Sequence, residues 1–354
     1  MKFDNYDVAL ITDEKQRLYF LGYRSTDGYL IITKDEKIFV IDERYYYAAD
    51  KILKPKCVKV VCGFGYKTLE EVINGVGKRL GVDFSATDLK EAENLKRIGV
   101  TLVDIFDEII KETAVKTEKE IEYIKKACSI AEKAWKETLF VLKEGVTERE
   151  VAAELEYNFK LFGAEGTSFE TIIAFGENSA VPHHETGNRK LRFNDCVLMD
   201  FGCLYKGYCS DMTRTLFFGT PDKKFISAYT AVYSAHKKVA EFIKDGVTGK
   251  NADEVARNEL TLRGYGEYFT HSLGHGIGVN IHEYPTLSKK SDWVLRENMA
   301  FTNEPGVYFN GAFGIRIEDS AHIENGVYKS FMKDDKSLLT IDTDGKIKKY
   351  KIKL

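Results

Sequence analysis

Apolar residues follow two rhythms along this chain. In the first third, short apolar runs alternate with helically spaced stretches. Asp7-Val8-Ala9-Leu10-Ile11, Gly28-Tyr29-Leu30-Ile31-Ile32, Lys37-Ile38-Phe39-Val40-Ile41, Val58-Lys59-Val60-Val61 and Thr101-Leu102-Val103 are brief and rich in β-branched and aromatic residues, which predicts strands. Residues 43–53 and 67–80 carry the spacing of helices. That order predicts a small mixed α/β domain over residues 1–113.

The rhythm then changes. Thr117-Glu118-Lys119-Glu120 has the form of a capping box, and the helix it opens places Ile121, Ile124, Cys128, Ala131, Trp135 and Leu139 on one stripe. Thr147-Glu148-Arg149-Glu150 is a second box, whose helix should stop near Gly163. From Phe169 the pattern is strand-rich, broken by helices over 223–244 and 251–263, the latter with Asn251 as its cap. Strands resume from Phe301. Residues 114–354 therefore read as an α+β domain built on a largely antiparallel sheet, with no Pro- or Ser-rich linker before it.

Length and composition agree with two folded domains. The chain has 354 residues, 44% apolar and 30% charged, with a formal net charge of −3, a balance that gives no reason to expect nucleic acid or an anionic membrane as partner. The start, Met1-Lys2-Phe3-Asp4-Asn5, has no basic segment leading into an apolar one, and no run approaches the roughly 20 apolar residues of a membrane span. Six cysteines without a Cys-x-x-Cys pair read as reduced thiols in apolar stretches, hence a cytoplasmic protein; Cys209, two residues before Asp211, could have a functional role.

Three stretches carry candidate chemistry. The first is Met199-Asp200-Phe201-Gly202 with Ser210-Asp211-Met212-Thr213-Arg214. A hairpin turning about Tyr205-Lys206 would pair position i with 411 − i and set Asp200 opposite Asp211, with Cβ atoms about 4.5–5.5 Å apart. Carboxylates that close repel unless a cation lies between them; the alternative is a pair of solvated loop aspartates. The second is His271-Ser272-Leu273-Gly274-His275-Gly276, continuing to His282, where three of seven histidines fall within twelve residues. The glycines argue against a helix and allow close approach of a ligand. Histidine here suits a metal, a substrate or an oxyanion. The third is Asn303-Glu304-Pro305-Gly306-Val307-Tyr308 followed by Arg316-Ile317-Glu318-Asp319. Arg316 and Glu318 share a strand face, so an ion pair between them competes with a metal as the neutralising partner. Four carboxylates and one histidine form an oxygen-rich set suited to manganese, cobalt or iron, with zinc possible, and to a pair of ions about 3.5–4 Å apart. No Gly-x-Ser-x-Gly elbow, Walker loop, dinucleotide fingerprint or His-Glu-x-x-His helix is present.

In these contexts the order Asp, Asp, His, Glu, Glu resembles the pita-bread metallopeptidases, which include methionine aminopeptidase, aminopeptidase P and prolidase. The separate amino-terminal domain and Val181-Pro182-His183-His184 are similar to the creatinase, prolidase and aminopeptidase P branch. The resemblance implies a creatinase-like α/β domain followed by a pita-bread domain, and hydrolysis of the bond between an amino-terminal residue and proline. It implies that Asp200 and Asp211 hold one metal and His275, Glu304 and Glu318 the other, with Asp211 and Glu318 bridging. Glu304 would also shuttle a proton, His282 would stabilise the tetrahedral intermediate, and His183 and His271 would meet the substrate. Tyr308 and Arg316 would support the site, Arg316 by orienting a carboxylate. Manganese is the expected metal, small proline-containing peptides the substrates, and a homodimer the expected assembly. His184 and His322 read as strand histidines and His236 as a structural helix residue. A creatinase-like hydrolase of a non-peptide C–N bond, a binding module without catalysis and a methionine aminopeptidase are the alternatives; the intact ligand set and the first domain count against them.

Overall fold

A computed structural model describes residues 1–74, 76–350 and 352. The chain divides into two compact units, Met1–Thr113 and Ala114–Leu354. The first contains β1 (Val8–Ile11), α1 (Glu14–Leu21), β2 (Tyr29–Ile32), β3 (Lys37–Ile41), α2 (Glu43–Leu53), β4 (Val58–Cys62), α3 (Gly65–Ile73), β5 (Arg79–Val82), α4 (Leu89–Arg97), β6 (Thr101–Asp104) and α5 (Phe106–Ala114). Its sheet has the order β4-β3-β2-β1-β5-β6, with antiparallel β1–β2 and β2–β3 pairs and parallel pairs elsewhere. Ala9, Ile11, Leu30 and Phe39 pack in one core layer, and Val8, Leu10, Ile31 and Val40 in another. Both faces are covered, which is why these strands read as continuous apolar runs rather than alternating ones.

Three expectations for this unit need correction. Helix α3 ends at Ile73, and the last residues of the expected 67–80 helix belong to β5. Helices α1, α4 and α5 went unread. Cys57 and Cys62 are exposed, although all six cysteines are free thiols.

The second unit opens with α6 (Glu118–Thr138) and α7 (Glu148–Leu161). Each starts with a complete capping box, Thr117 with Glu120 and Thr147 with Glu150. Then follow β7 (Gly166–Thr167), β8 (Ile172–Phe175), β9 (Asp195–Phe201), β10 (Cys203–Tyr205), β11 (Tyr208–Cys209), β12 (Met212–Phe218), α8 (Lys223–Phe242), α9 (Gly249–Leu262), β13 (Gly274–Gly276), β14 (Glu283–Leu287), β15 (Ala300–Asn303), β16 (Gly306–Phe309), β17 (Phe313–Arg316), β18 (Asp319–Glu324), β19 (Val327–Ser330), β20 (Leu339–Ile341) and β21 (Ile347–Lys349). The strands form two five-stranded sheets, β21-β20-β12-β9-β8 and β14-β13-β15-β18-β19, with β11-β10-β7 and the β16–β17 ribbon beside them. Pairing is antiparallel except between β12 and β20. Helix α9 is capped by Thr248, whose hydroxyl accepts from the Asn251 N–H, so Asn251 lies inside the helix rather than at its cap.

Side-chain alternation separates core from cavity. Ile315, Ile317, Ala321 and Ile323 pack with the inward faces of α8 and α9, among them Ala228, Val232, Ala235, Ala252 and Ala256. Arg316 and Glu318, one residue out of phase, line a cavity instead.

Candidate active site

The cavity lies wholly within the second unit, has a volume of about 1200 Å³ and gathers Asp200, Asp211, His275, Glu304 and Glu318 in its wall. Asp200 comes from β9, Asp211 from just before β12, His275 from β13, Glu304 from just after β15, and Glu318 from between β17 and β18. Two sheets thus supply donors from five chain segments.

The register differs from the sequence expectation. Strands β9 and β12 pair Asp200 with Thr213, so i pairs with 413 − i. The turn centres on Lys206 and Gly207, both with positive φ (52° and 79°), as a two-residue turn matching the twist of a hairpin requires. A shift of two keeps side chains on the same face. Asp211 is therefore a diagonal neighbour of Asp200, and Thr213 stands opposite it, its hydroxyl donating to Glu318 Oε2 at 2.6 Å.

One oxygen each of Asp211 and Glu318 and one nitrogen of His275 lie within 4.8 Å of one another. His275 Nδ1 donates to the Gly276 carbonyl at 3.1 Å, which leaves the Nε2 lone pair aimed inward, 3.5 Å from Asp211 Oδ2 and 3.4 Å from Glu304 Oε1. Burial, aided by His282, lowers the His275 pKa to about 4, so at neutral pH an unprotonated nitrogen faces the Asp211 and Glu304 carboxyl groups. Burial and the neighbouring carboxylates push Asp211 and Glu318 well above the usual carboxylate range, and burial pushes Glu304 up to about 8. Asp200 Oδ1 is buried without a hydrogen-bond partner. Lone pairs and carboxylates converging with an orphaned oxygen fit divalent metal, which supplies the missing positive charge.

The wall around this group is braced. Arg316 donates to Asp200 Oδ2, to Thr213 Oγ1 at 3.1 Å and to Tyr308 Oη at 2.6 Å. Tyr308 Oη donates onward to His271 Nε2 at 2.9 Å, since His271 Nδ1 is committed to the Ser272 carbonyl at 2.8 Å. Burial lowers the His271 pKa to about 3, with the Arg316 charge adding to it. The ring is therefore neutral, with both nitrogens engaged. His282 is exposed on the cavity wall, its ring 4.4 Å from that of His275.

His183 sits on a turn and His184 in the irregular segment after it, neither of them on a strand. His183 is exposed on the wall, while His184 Nε2 meets Glu148 Oε2 at 3.0 Å. His322 is buried on β18, stacked 4.5 Å from Phe331, and His236 is buried on α8. Cys209 is buried and not among the lining residues. The glycines flanking His275 also act differently from expectation. A Cβ on Gly274 would lie 2.2 Å from the Thr302 carbonyl oxygen and one on Gly276 2.4 Å from that of Tyr284. They let β13 pass close between its neighbouring strands, rather than admit a ligand.

Some contributors went unread in the sequence. Arg149, Ala152 and Glu156 line the cavity from one face of α7. Glu148, fully buried, accepts from the N–H groups of Phe175 and Gly187 and from Asn178 as well as meeting His184. Only its place in a capping box is visible in the sequence.

Residues 122–325 match the family model described as metallopeptidase family M24, and residues 1–112 match the creatinase/prolidase N-terminal domain. A Xaa-Pro dipeptidase of Pyrococcus horikoshii is 38% identical over 96% of this chain and 96% of its own. The structure of a Xaa-Pro dipeptidase from Bacillus anthracis superposes with a TM-score of 0.91 at 35% identity, covering 95% of each chain. That of an X-Pro aminopeptidase from Thermotoga maritima does so with a TM-score of 0.89 at 34% identity, covering 95% of this chain and 98% of that one. No helix among the described residues is long and apolar enough to cross a membrane. Matched by that family's model over residues 122–325, by the creatinase/prolidase model before it and by relatives along nearly its whole length, this chain belongs to metallopeptidase family M24.

Proposed function

We propose that the protein hydrolyses the bond between an amino-terminal residue and proline in small peptides, using two divalent ions held by Asp200, Asp211, His275, Glu304 and Glu318. The observation that carries the reading is the convergence of Asp211, His275 and Glu318 donors within 4.8 Å, with Glu304 Oε1 3.4 Å from His275 Nε2 and the unpartnered Asp200 Oδ1 in the same cavity wall. Asp211 and Glu318 would be shared between the two ions, and manganese is the metal we expect. When bound, such ions lower the pKa of a water and polarise the scissile carbonyl.

The chain's own groups supply the rest. Glu304 takes the proton of the attacking water on a carboxylate oxygen and returns it to the proline nitrogen, which carries no proton of its own in the substrate. His282, on the open wall, donates to the oxygen that gains negative charge. Arg316 fixes Asp200 and, through Tyr308, the neutral His271 ring, giving the substrate a rigid wall. His183 borders the space where the peptide lies. A homodimer is the assembly we expect, to be checked by sedimentation.

The test is hydrolysis of Ala-Pro beside Ala-Pro-Ala by metal-stripped protein with and without manganese. Manganese-dependent cleavage confined to the dipeptide makes the enzyme a dipeptidase, and cleavage of the tripeptide makes it an aminopeptidase. Failure on both with metal bound refutes the Xaa-Pro reading.

A further inference from the structure

His282 stands on the loop of residues 277–282 joining β13 to β14, and a donor on a loop delivers its hydrogen bond only when the loop is held. Glu283, which follows it, is half of an ion pair outside the ligand cluster. Its Oε1 accepts from the Asn280 N–H at 2.8 Å, inside the loop, and its Oε2 lies 2.7 Å from Lys116 Nζ. The two side chains are 7% and 1% exposed, so removing either charge leaves the other buried with less to offset it. Lys116 does not line the cavity. It belongs to the segment before α6, which is tied to the entry of β15 by the Lys116 N–H to Asn298 carbonyl bond at 3.0 Å and by the Val115–Met299 bridge. On the other side of the carboxylate a Cβ at Gly278 would lie 2.4 Å from Glu283 Oε2. The Gly278 carbonyl in turn accepts from the Cys209 N–H at 2.8 Å. The carboxylate therefore fills the loop's interior and ties it to a segment outside the cavity.

We propose that the buried Lys116–Glu283 pair is the positioning device for His282, so that turnover depends on a lysine off the cavity wall. This rests on the role given to His282 above. Lys116 lies off the cavity wall, and Glu283, though it borders the cavity, has both carboxylate oxygens engaged by the Asn280 N–H and Lys116 Nζ. Each acts through the loop, by setting the distance and direction from which the His282 ring meets the developing oxyanion.

The experiment is steady-state hydrolysis of Ala-Pro by manganese-loaded full-length protein, with metal content and melting temperature measured for every variant. Glu283→Gln and Lys116→Met are each expected to lower kcat about 10–100-fold, with KM within about twofold and metal content unchanged; Lys116→Arg retains most of the rate. Removing both charges in Lys116→Met/Glu283→Gln relieves the charge imbalance that either single change leaves buried, so the double variant recovers the melting temperature but not kcat. Should either single variant fail to fold, the double variant carries the test, and recovery of kcat together with stability overturns the proposal. In a His282→Ala background Glu283→Gln is expected to cost nothing further in kcat. A slow His282→Ala enzyme in which Glu283→Gln still costs its full factor overturns the proposal alone. A wild-type rate in His282→Ala overturns the role of His282 and the proposal with it.

Discussion

Replacing Arg214 by Met tests how the site's frame is held. Arg214 is buried and donates to four groups on three segments. Its Nη2 reaches Asp319 Oδ1 at 2.8 Å and Asp334 Oδ1 at 2.6 Å, its Nε reaches Asp334 Oδ2 at 2.8 Å, and its Nη1 reaches the carbonyls of Thr213 and Glu318. It thereby fastens the strand after Asp211 to the segment bearing Glu318. Truncation leaves Asp319 and Asp334 almost fully buried with less positive charge, a change that typically costs 3–5 kcal/mol. Lys336 remains, 2.8 Å from Asp319 and 3.8 Å from Asp334, and Ser330 still donates to Asp319. The loss should therefore fall at the low end, about 3 kcal/mol. For a unit of this size that corresponds to a fall in Tm of roughly 6–12 °C. Both tryptophans, Trp135 and Trp293, lie in the second unit, so urea unfolding followed by tryptophan fluorescence reports on that unit directly. Arg214→Lys should recover only part of the loss, because one ammonium cannot reproduce the planar fork. A loss below about 1 kcal/mol in Arg214→Met would show that the network is no stronger than a surface pair and refute the reasoning.

Three further outcomes follow from the same geometry. Asp211→Asn should abolish turnover and lower bound metal with the circular dichroism unchanged; because burial and neighbouring carboxylates disfavour its charge, the metal-free variant should melt no lower than the metal-free parent, and normal turnover would sink the metal assignment. Burial holds the His236 pKa near 4, against the attraction of Asp319 and with Lys336 and Arg214 lowering it further. The unfolded chain therefore binds this proton first as pH falls from about 6.5, and about 3 kcal/mol of stability should disappear by pH 4; His236→Leu should flatten that part of the stability–pH curve, and an unchanged slope would count against it. Gly276→Ala places a Cβ 2.4 Å from the Tyr284 carbonyl oxygen, so β13 must move away from β14 at about 1–3 kcal/mol with loss of activity through His275; a fully active, equally stable variant would show that the strands are not in close contact.

What could be read from the chain, and what could not, divides by the range of the interaction. The capping boxes at Thr117 and Thr147 were legible because both partners lie within four residues. The metal-ligand candidates were legible because each is a carboxylate or imidazole set in a short apolar or glycine-rich motif, where a buried charge or lone pair calls for a cation. Helix α1 was not: its sequence, Glu14 to Leu21, has no apolar stripe, and it is held by the Asp13 cap, a left-handed Gly22 and buried Arg17, whose guanidinium donates to the carbonyls of Thr12, Ser25 and Thr26. The β9–β12 register was misplaced by two because it depends on which residues adopt positive φ in the turn, and Lys206 does so although lysine carries no preference for it.

The same limit governs the support of the site. Arg316 and Glu318 sit together in one motif, yet Arg316 serves Asp200, 116 residues away, while the Glu318 carboxylate accepts from Thr213, 105 residues away. An Arg316–Glu318 ion pair is the alternative to a metal that the sequence allows. In the fold Arg316 is committed to Asp200 and Tyr308, and Glu318 stays among carboxylates. Either pairing lets the guanidinium offset a single carboxylate of the candidate set; pairing with Asp200 leaves Asp211, Glu304 and Glu318 crowded together, each with its charge disfavoured by burial. A period-two strand decides which residues face the cavity, but the choice of partner across the sheet decides which carboxylate the arginine offsets and which are left for a cation to hold.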